Sequence, residues 1–336
     1  MSETKNPVTG PTGETSEKSM RNITLTEPWR IVFFGSPVFS LPSLEALHQG
    51  PDQVALVVTP PPAPSGRGRK LSPSPTAVRA RELGLPLLEA RSTRKPEVIE
   101  AIRATRPDLL VVAAFGGFLP PELLTMCPYP PLNVHPSLLP RHRGAAPVNW
   151  CLIEGDRETG VSIIFLEEEM DAGAVLSRQA FPIKGPESAG VWEERLARAG
   201  AEDMVRVIGE LKNNSATPRP QDQAQVTINR LLRKADGLAD LARPAIELAG
   251  LINGVDPWPG AQTSFQGRAL KLYGAEVAEG VTASGQPGQV LGLDPAGRLL
   301  VATGRGALAV AELQPEGKKR MAAADFQRGY KPERLG

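Results

Sequence analysis

Apolar residues fall along the chain in short continuous runs, each closed by a turn. RIVFFG (Arg30–Gly35), QVALVVTP (Gln53–Pro60) and DLLVVAAFG (Asp108–Gly116) have the length and β-branched content of fully buried strands. PLNVHPS and the core of GVSIIFLEEEMDAG (Gly160–Gly173) add two more. Between them, apolar positions recur at helical spacing. SPVFSLPSLEALHQG reads as a turn and a helix ending at Gly50, AVRARELG (Ala77–Gly84) as a helix ending at a glycine, and EVIEAIRATRP as a third helix. Strands alternating with helices predict a mostly parallel sheet with helices on both faces. The expected architecture is therefore an α/β, Rossmann-like, doubly wound domain over residues 29–212.

The pattern then changes. NNSATPRPQDQAQ (Asn213–Gln225) is polar, carries two prolines and has no period, so 213–232 is expected to be a linker. ARPAIELAGLING (Ala242–Gly254) is one helix. After it come AQTSFQG, ALKLYGAEV, GQVLGLDP and RLLVATGRGALAVAELQP, short alternating runs separated by Gly and Asp turns. These predict a small antiparallel, OB-like β-barrel over 233–336. At the other end, residues 1–28 are polar, rich in Gly, Pro, Ser and Thr, and interrupted by four glutamates, which predicts a disordered tail. That tail lacks the apolar core of a signal peptide, and Met20 offers an alternative start.

Composition narrows the function classes. At 336 residues and 41% hydrophobic, the chain can bury two cores. A net charge of +1 removes the polycation route to nucleic-acid binding and leaves only local patches. Two cysteines, Cys127 and Cys151, give no disulfide framework and point to a reducing compartment, so the expected setting is the cytoplasm. No run of about eighteen apolar residues marks a membrane helix. FFGSPVFS has strand–turn–helix context but only one glycine, and SGRGRK (Ser65–Lys70) is not a phosphate-binding P-loop, so a nicotinamide dehydrogenase is disfavoured. No Cys or His pair has zinc spacing, and no metal is expected.

Chemistry concentrates in NVHPSLLPRHRGAAP (Asn133–Pro147), which holds two of the three histidines. Ligands of open parallel sheets bind at the carboxyl ends of strands. Asn133 and His135 lie two apart on such a strand, so their side chains point the same way. Asp171 follows the next strand, before a turn. An amide, an imidazole and a carboxylate meeting there suit acyl transfer to an amine. Amide and imidazolium stabilise a tetrahedral oxyanion, the imidazole moves protons, and the carboxylate orients it. Taken singly, each has an ordinary alternative: a structural histidine, a strand-end asparagine, a turn aspartate. His48 closes a helix and suits its dipole.

NVHPSLLPRHRGAAP resembles the N-x-H-x-S-L-L-P signature of 10-formyltetrahydrofolate-dependent formyltransferases, and EMDAGAVL resembles the loop that carries their aspartate. RGAAP, RIVFFGSPVFSLPSLEAL, SGRGRKLSPSPTAVRA, INGVDPWPGA and LQPEGKKRM are similar to the methionyl-tRNA formyltransferase branch. The resemblance runs in consistent order over roughly residues 29–330. It implies 10-formyltetrahydrofolate as co-substrate and methionyl initiator tRNA as acceptor, with tetrahydrofolate released. It implies that Asn133 bonds the formyl oxygen, that His135 stabilises the oxyanion and assists proton transfer, and that Asp171 orients His135. Ser137, Leu138, Leu139 and Pro140 match the family's folate-lining segment. Phe115, Leu119 and the backbone of Glu168 to Asp171 match its pterin wall.

For the RNA, the resemblance implies that the loop carrying Arg67, Arg69 and Lys70 enters the end of the acceptor stem, ordering on phosphates. Lys318, Lys319 and Arg320 form a second basic cluster able to track an RNA backbone. The C-terminal part is too nearly neutral to be read as an RNA binder from charge alone. A monomer is expected. Three positions depart from the family pattern: His142 for an aromatic, Phe115 for a tyrosine, and Pro136 for a glycine, the last resembling the glycinamide ribonucleotide formyltransferases. The rival readings are a formyltransferase for a small amine and a non-enzymatic RNA-binding adaptor.

Overall fold

The computed structural model describes residues 27–65, 70–281 and 285–336. The first half is built on a seven-stranded sheet. Its strands are β1 (Arg30–Gly35), β2 (Gln53–Thr59), β3 (Leu87–Glu89), β4 (Leu109–Ala113), β5 (Leu132–His135), β6 (Glu158–Phe165) and β7 (Val175–Pro182), in the order β7-β6-β5-β4-β1-β2-β3. β1 pairs in parallel with both β2 and β4, so the strand order reverses beside β1. β5 runs parallel to β4, whereas β6 is antiparallel to β5 and to β7.

Alternation along β1 explains why both faces are covered. Ile31 and Phe33 join one core with α1 (Leu41–Gln49) and a long helix, Ala189–Lys212. Val32 and Phe34 join another core with α3 (Pro96–Ala104). Between α1 and α3 lies α2 (Pro75–Glu82), capped by the Ser74 hydroxyl, which accepts from the Ala77 amide. The Ala189–Lys212 helix is a departure from the sequence expectation, which assigned it no element. Its buried positions, Trp192, Leu196, Ala197, Gly200, Ala201, Met204, Val207, Ile208 and Leu211, form a clear stripe, but Glu193, Glu194, Arg195 and Arg198 interrupt it in the sequence. With α4 (Pro147–Ile153) between β5 and β6, that helix is α5.

Residues 213–232 do not hang free. Val175 and Arg219 exchange backbone hydrogen bonds, and Ile228–Asn229 pairs in parallel with Arg143–Gly144. The second half follows: α6 (Ala245–Gly254), β8 (Ala261–Phe265), β9 (Arg268–Val277), β10 (Val290–Leu293), β11 (Leu299–Ala302), β12 (Ala307–Pro315), β13 (Met321–Ala322) and α7 (Ala323–Tyr330). These strands form an antiparallel sheet ordered β8-β9-β12-β11-β10, with β13 beside β12.

The expected barrel does not close among the described residues, because edge strands β8 and β10 do not pair with each other. The terminal segment spans the gap instead. Val290 donates to Glu333, Leu335 donates to Gly288, and Gly336 donates to Ser264 at the edge of β8. Helices α6 and α7 pack on the sheet around Leu248, Ile252, Leu272, Val310 and Phe326.

Candidate active site

Asn133 and His135 occupy the carboxyl end of β5, where the parallel part of the sheet meets its antiparallel edge. Both side chains emerge on one side, as their spacing requires, and both address Asp171. The Asn133 amide donates to Asp171 Oδ1 at 3.4 Å, and His135 Nδ1 lies 3.7 Å from Asp171 Oδ2. All three side chains are largely buried: Asn133 and His135 are 8% and 4% exposed, and the Asp171 side chain 12%.

The loop between β6 and β7 delivers Asp171. Gly173 lies so close to the chain that a Cβ would sit 1.9 Å from the Phe165 carbonyl oxygen, so only glycine lets this turn close. Asp171 itself adopts φ +51°, a left-handed conformation that aspartate tolerates better than most residues. Two contacts hold it there. The Gly144 backbone N–H donates to Asp171 Oδ2 at 2.9 Å, and the Gln221 side chain donates to the carbonyls of Asp171 and Gly173 at 2.7 and 2.8 Å. Gly144 has φ +93°, and a Cβ on it would lie 2.5 Å from the Asn229 carbonyl oxygen.

Opposite Asp171, His135 Nε2 lies 3.0 Å from the His142 carbonyl oxygen. A carbonyl only accepts, so Nε2 carries a proton in this geometry. Nδ1 is then the nitrogen free to exchange one, and it faces the carboxylate. The His142 ring is itself 2% exposed: its Nε2 meets Asp156 Oδ2 at 2.8 Å and its Nδ1 meets the Asn229 amide at 2.9 Å. Burial raises the Asp156 carboxyl, but hydrogen bonds from His142 and Arg141 outweigh it and hold the group below its ordinary value.

The remaining predicted residues divide. Ser137, Leu139 and Pro140 are buried behind His135: the Ser137 hydroxyl donates to the Arg141 carbonyl, and Leu139 donates to the Ser162 hydroxyl. Ser137, Leu138 and Pro140 line a cavity of about 260 Å³ with Arg141, His142, Cys151, Asp156 and Arg178, whereas Asn133, His135 and Asp171 are not among its walls. Phe115 packs edge-on against Phe34 at 5.4 Å, and Leu119 is half-buried on the same core.

Lys70 is exposed, and Arg67 and Arg69 lie outside the described residues. Lys318, Lys319 and Arg320 are all exposed, but the Arg320 guanidinium is engaged by partners within the chain. It pairs with Glu312 at 2.6 Å and Asp256 at 3.2 Å and stacks 4.0 Å over Tyr273.

His142, Cys151 and Asp156 bring donor atoms within 4.8 Å of one another, a spacing a metal could use. In this structure the carboxylate is shared by Arg141 and His142, and the Cys151 thiol, pushed up to about 12 chiefly by burial, points at the Glu158 carbonyl. The cluster is therefore a satisfied hydrogen-bond network, with a guanidinium where a cation would have to compete.

Comparison with known proteins gives the site its context. Residues 29–208 match a family profile described as formyl transferase, and residues 231–331 match formyl transferase, C-terminal domain. A methionyl-tRNA formyltransferase of Desulfotalea psychrophila is 44% identical over 95% of this chain and 95% of its own length. Another, from Citrifermentans bemidjiense, is 42% identical over 90% of this chain and 94% of its own.

The chain belongs to the methionyl-tRNA formyltransferase family.

Solved structures share the fold at much lower identity. An N-formyltransferase from Helicobacter canadensis, in complex with folinic acid and dTDP-3-aminofucose, superposes with a TM-score of 0.63 at 13% identity, over 85% of this chain and 99% of its own. HypX from Aquifex aeolicus, in complex with tetrahydrofolic acid, superposes with a TM-score of 0.58 at 18% identity, over 90% of this chain and 47% of its own.

For a methionyl-tRNA formyltransferase family member, the C-terminal motifs gain a physical link: Asp256 of DPWPG and Arg320 of GKKRM pair with each other. Four residues of the site escaped the sequence reading as contributors to it: Gly144, Gln221, Thr227 and Asn229. The last three lie on the segment expected to be a linker, and no period or motif marks them. A buried polar contact made across about 50 to 90 residues leaves no local signal, although the turn-forming Gly144 after Arg143 was a partial one.

Proposed function

We propose that this protein transfers the formyl group of 10-formyltetrahydrofolate to the α-amino group of methionyl initiator tRNA. One observation carries the reading: Asn133, His135 and Asp171 converge at the carboxyl end of β5, with Asp171 fixed by the Gly144 N–H. The neutral amine attacks the formyl carbon and a tetrahedral oxyanion forms. One Asn133 N–H is held by Asp171, and the other is free to donate to that oxyanion. His135 Nδ1 takes up or releases the proton that moves from the amine to the departing folate nitrogen, and Asp171 stabilises the imidazolium between the two events. When the C–N bond to folate breaks, that nitrogen keeps the electron pair and gains the proton, giving tetrahydrofolate.

Phe115, Leu119 and the backbone from Glu168 to Asp171 hold the pterin in this reading. Ser137 to Pro140 support the wall from which His135 projects. Lys70, Lys318 and Lys319, with Arg67 and Arg69, meet phosphates of the RNA, and Arg320 anchors its hairpin. The protein acts as a monomer in the cytoplasm, a setting supported by two free thiols; no helix among the described residues is long and apolar enough to cross a membrane.

Formylation of methionyl initiator tRNA tests the proposal. Wild type is expected to be active, His135→Ala to lose at least about 10²-fold in turnover, and Arg67→Ala to raise the KM for tRNA. Binding of folate without modification of the tRNA would move the acceptor to small amines.

A further inference from the structure

We infer that His142 is a positioning residue of the formyl-transfer site: its imidazole, pinned between Asp156 and Asn229, fixes the backbone carbonyl that holds the Nε2–H of His135. The inference rests on the proposed reaction for its kinetic consequence, but not for its geometry.

A backbone carbonyl is a fixed acceptor only if its own peptide cannot rotate. His142 has φ +60°, in the left-handed region that few non-glycine residues adopt and that histidine enters more readily than most, so its contacts decide whether it stays there. The surroundings act from both ends. Its backbone N–H donates to the Thr227 hydroxyl at 2.8 Å. Its ring is held at Nε2 by Asp156 and at Nδ1 by the Asn229 amide. Asp156 is in turn held by Arg141 at 2.6 Å, and Asn229 pairs with Gly144 in the short parallel ladder. The other charged or ionisable groups near the ring are Glu154, 4.0 Å from Nδ1, and the Cys151 thiol.

An Asn229 amide donating to Nδ1 leaves that nitrogen bare, so the His142 proton sits on Nε2 and points at Asp156. The ring is thus a rigid strut between the 140–144 loop and two other segments. Release of the strut lets the peptide relax from φ +60°, and the carbonyl leaves His135 Nε2. His135 then loses the partner that selects its tautomer, and Nδ1 is no longer reliably the unprotonated nitrogen on the Asp171 side of the ring.

The chain has only three histidines, so ¹⁵N-histidine labelling of the full-length protein gives three imidazole spin systems, and His142→Phe leaves two, of which His48 is exposed. In wild type, His135 is expected in the Nε2–H form. In His142→Phe, which keeps a flat ring and removes both polar contacts, His135 is expected to sample both tautomers. His142→Gln retains an amide donor able to reach Asp156 and is expected to restore the wild-type pattern in part. With methionyl-tRNA as acceptor, His142→Phe is expected to lower kcat about 10- to 100-fold while the KM for 10-formyltetrahydrofolate stays within about twofold. Asn229→Ala serves if His142→Phe does not fold, with the same shift expected.

An unchanged His135 tautomer in a folded His142→Phe protein overturns the inference, whatever the kinetics. A wild type that does not formylate tRNA overturns the proposed function alone, because the resonance pattern still decides the positioning role.

Discussion

At the scale of single residues, the site depends on conformations that side chains ordinarily avoid. Asp171 and His142 both have positive φ, and each is held by a hydrogen bond to a distant part of the chain: Asp171 accepts from the Gly144 N–H, and the His142 N–H donates to the Thr227 hydroxyl. Asp171→Asn keeps the shape but leaves one acceptor oxygen for two donors, the Gly144 N–H and the Asn133 amide, each of which has its own in the wild type. It also removes the charge that stabilises a His135 imidazolium. Steady-state formylation is expected to fall at least about 10²-fold, with little change in thermal stability.

Gly144→Ala combines a strained φ with a Cβ that meets the Asn229 carbonyl. It is expected to cost about 1–3 kcal/mol in urea unfolding and to lower kcat as Asp171 loses its donor. The thiols give an opposite case. Burial pushes Cys127 and Cys151 up to about 12, with Asp108 adding to the first. At pH 8 about one in 10⁴ is thiolate, so alkylation of the native protein by iodoacetamide is expected to be slow and to become rapid in urea.

Between elements, stability turns on buried polar clamps rather than on apolar area alone. Asn253 at the end of α6 both accepts from the Ala275 N–H at 3.0 Å and donates to the Ala275 carbonyl at 2.8 Å, so one side chain locks helix to β9 inside the core. Asn253→Ala leaves two buried backbone groups without partners. A loss of about 2–4 kcal/mol is expected in chemical denaturation. The periodicity announced α6 and β9 as elements, but nothing in it said that Asn253 faces inward. An asparagine near a helix end is ordinarily read as a cap, and only the arrival of β9 turns it into a clamp.

Across the whole molecule, the halves meet through α4 and the segment after residue 226. Asn149 donates to the Gly254 carbonyl at 2.7 Å, the Trp150 indole N–H donates to the Arg230 carbonyl at 2.7 Å, and Arg230 lies 4.9 Å over the Trp150 ring. Arg230 also pairs through two nitrogens with Asp236, whose carboxyl its hydrogen bond pulls down to about 2. A depressed carboxylate stabilises the fold above its unfolded value of about 4, and that contribution is lost as pH falls from about 4 through about 2. Wild type is therefore expected to lose stability over that window by more than Asp236→Asn does. The difference stays at or below about 1 kcal/mol because Arg230 is half-exposed. Acid titration followed by Trp fluorescence checks it.

The sequence by itself determined most of the element types, though not the Ala189–Lys212 helix, the doubly wound class and the three candidate groups of the site. Those follow from period, turn chemistry and strand-end placement, all of which are local. Asn133 and His135 share a face because a strand alternates, and Asp171 returns to them because a hairpin folds back. What only the tertiary structure decided is non-local. It turned the expected barrel into an open sheet bridged by 333–336, and it threaded Gln221, Thr227 and Asn229 into the site. It buried His142 between Asp156 and Asn229, where the sequence showed only a histidine in place of the family's aromatic. Hydrogen bonds across dozens of residues have no period in the sequence, and the close approaches that fix them exist only once both partners are packed.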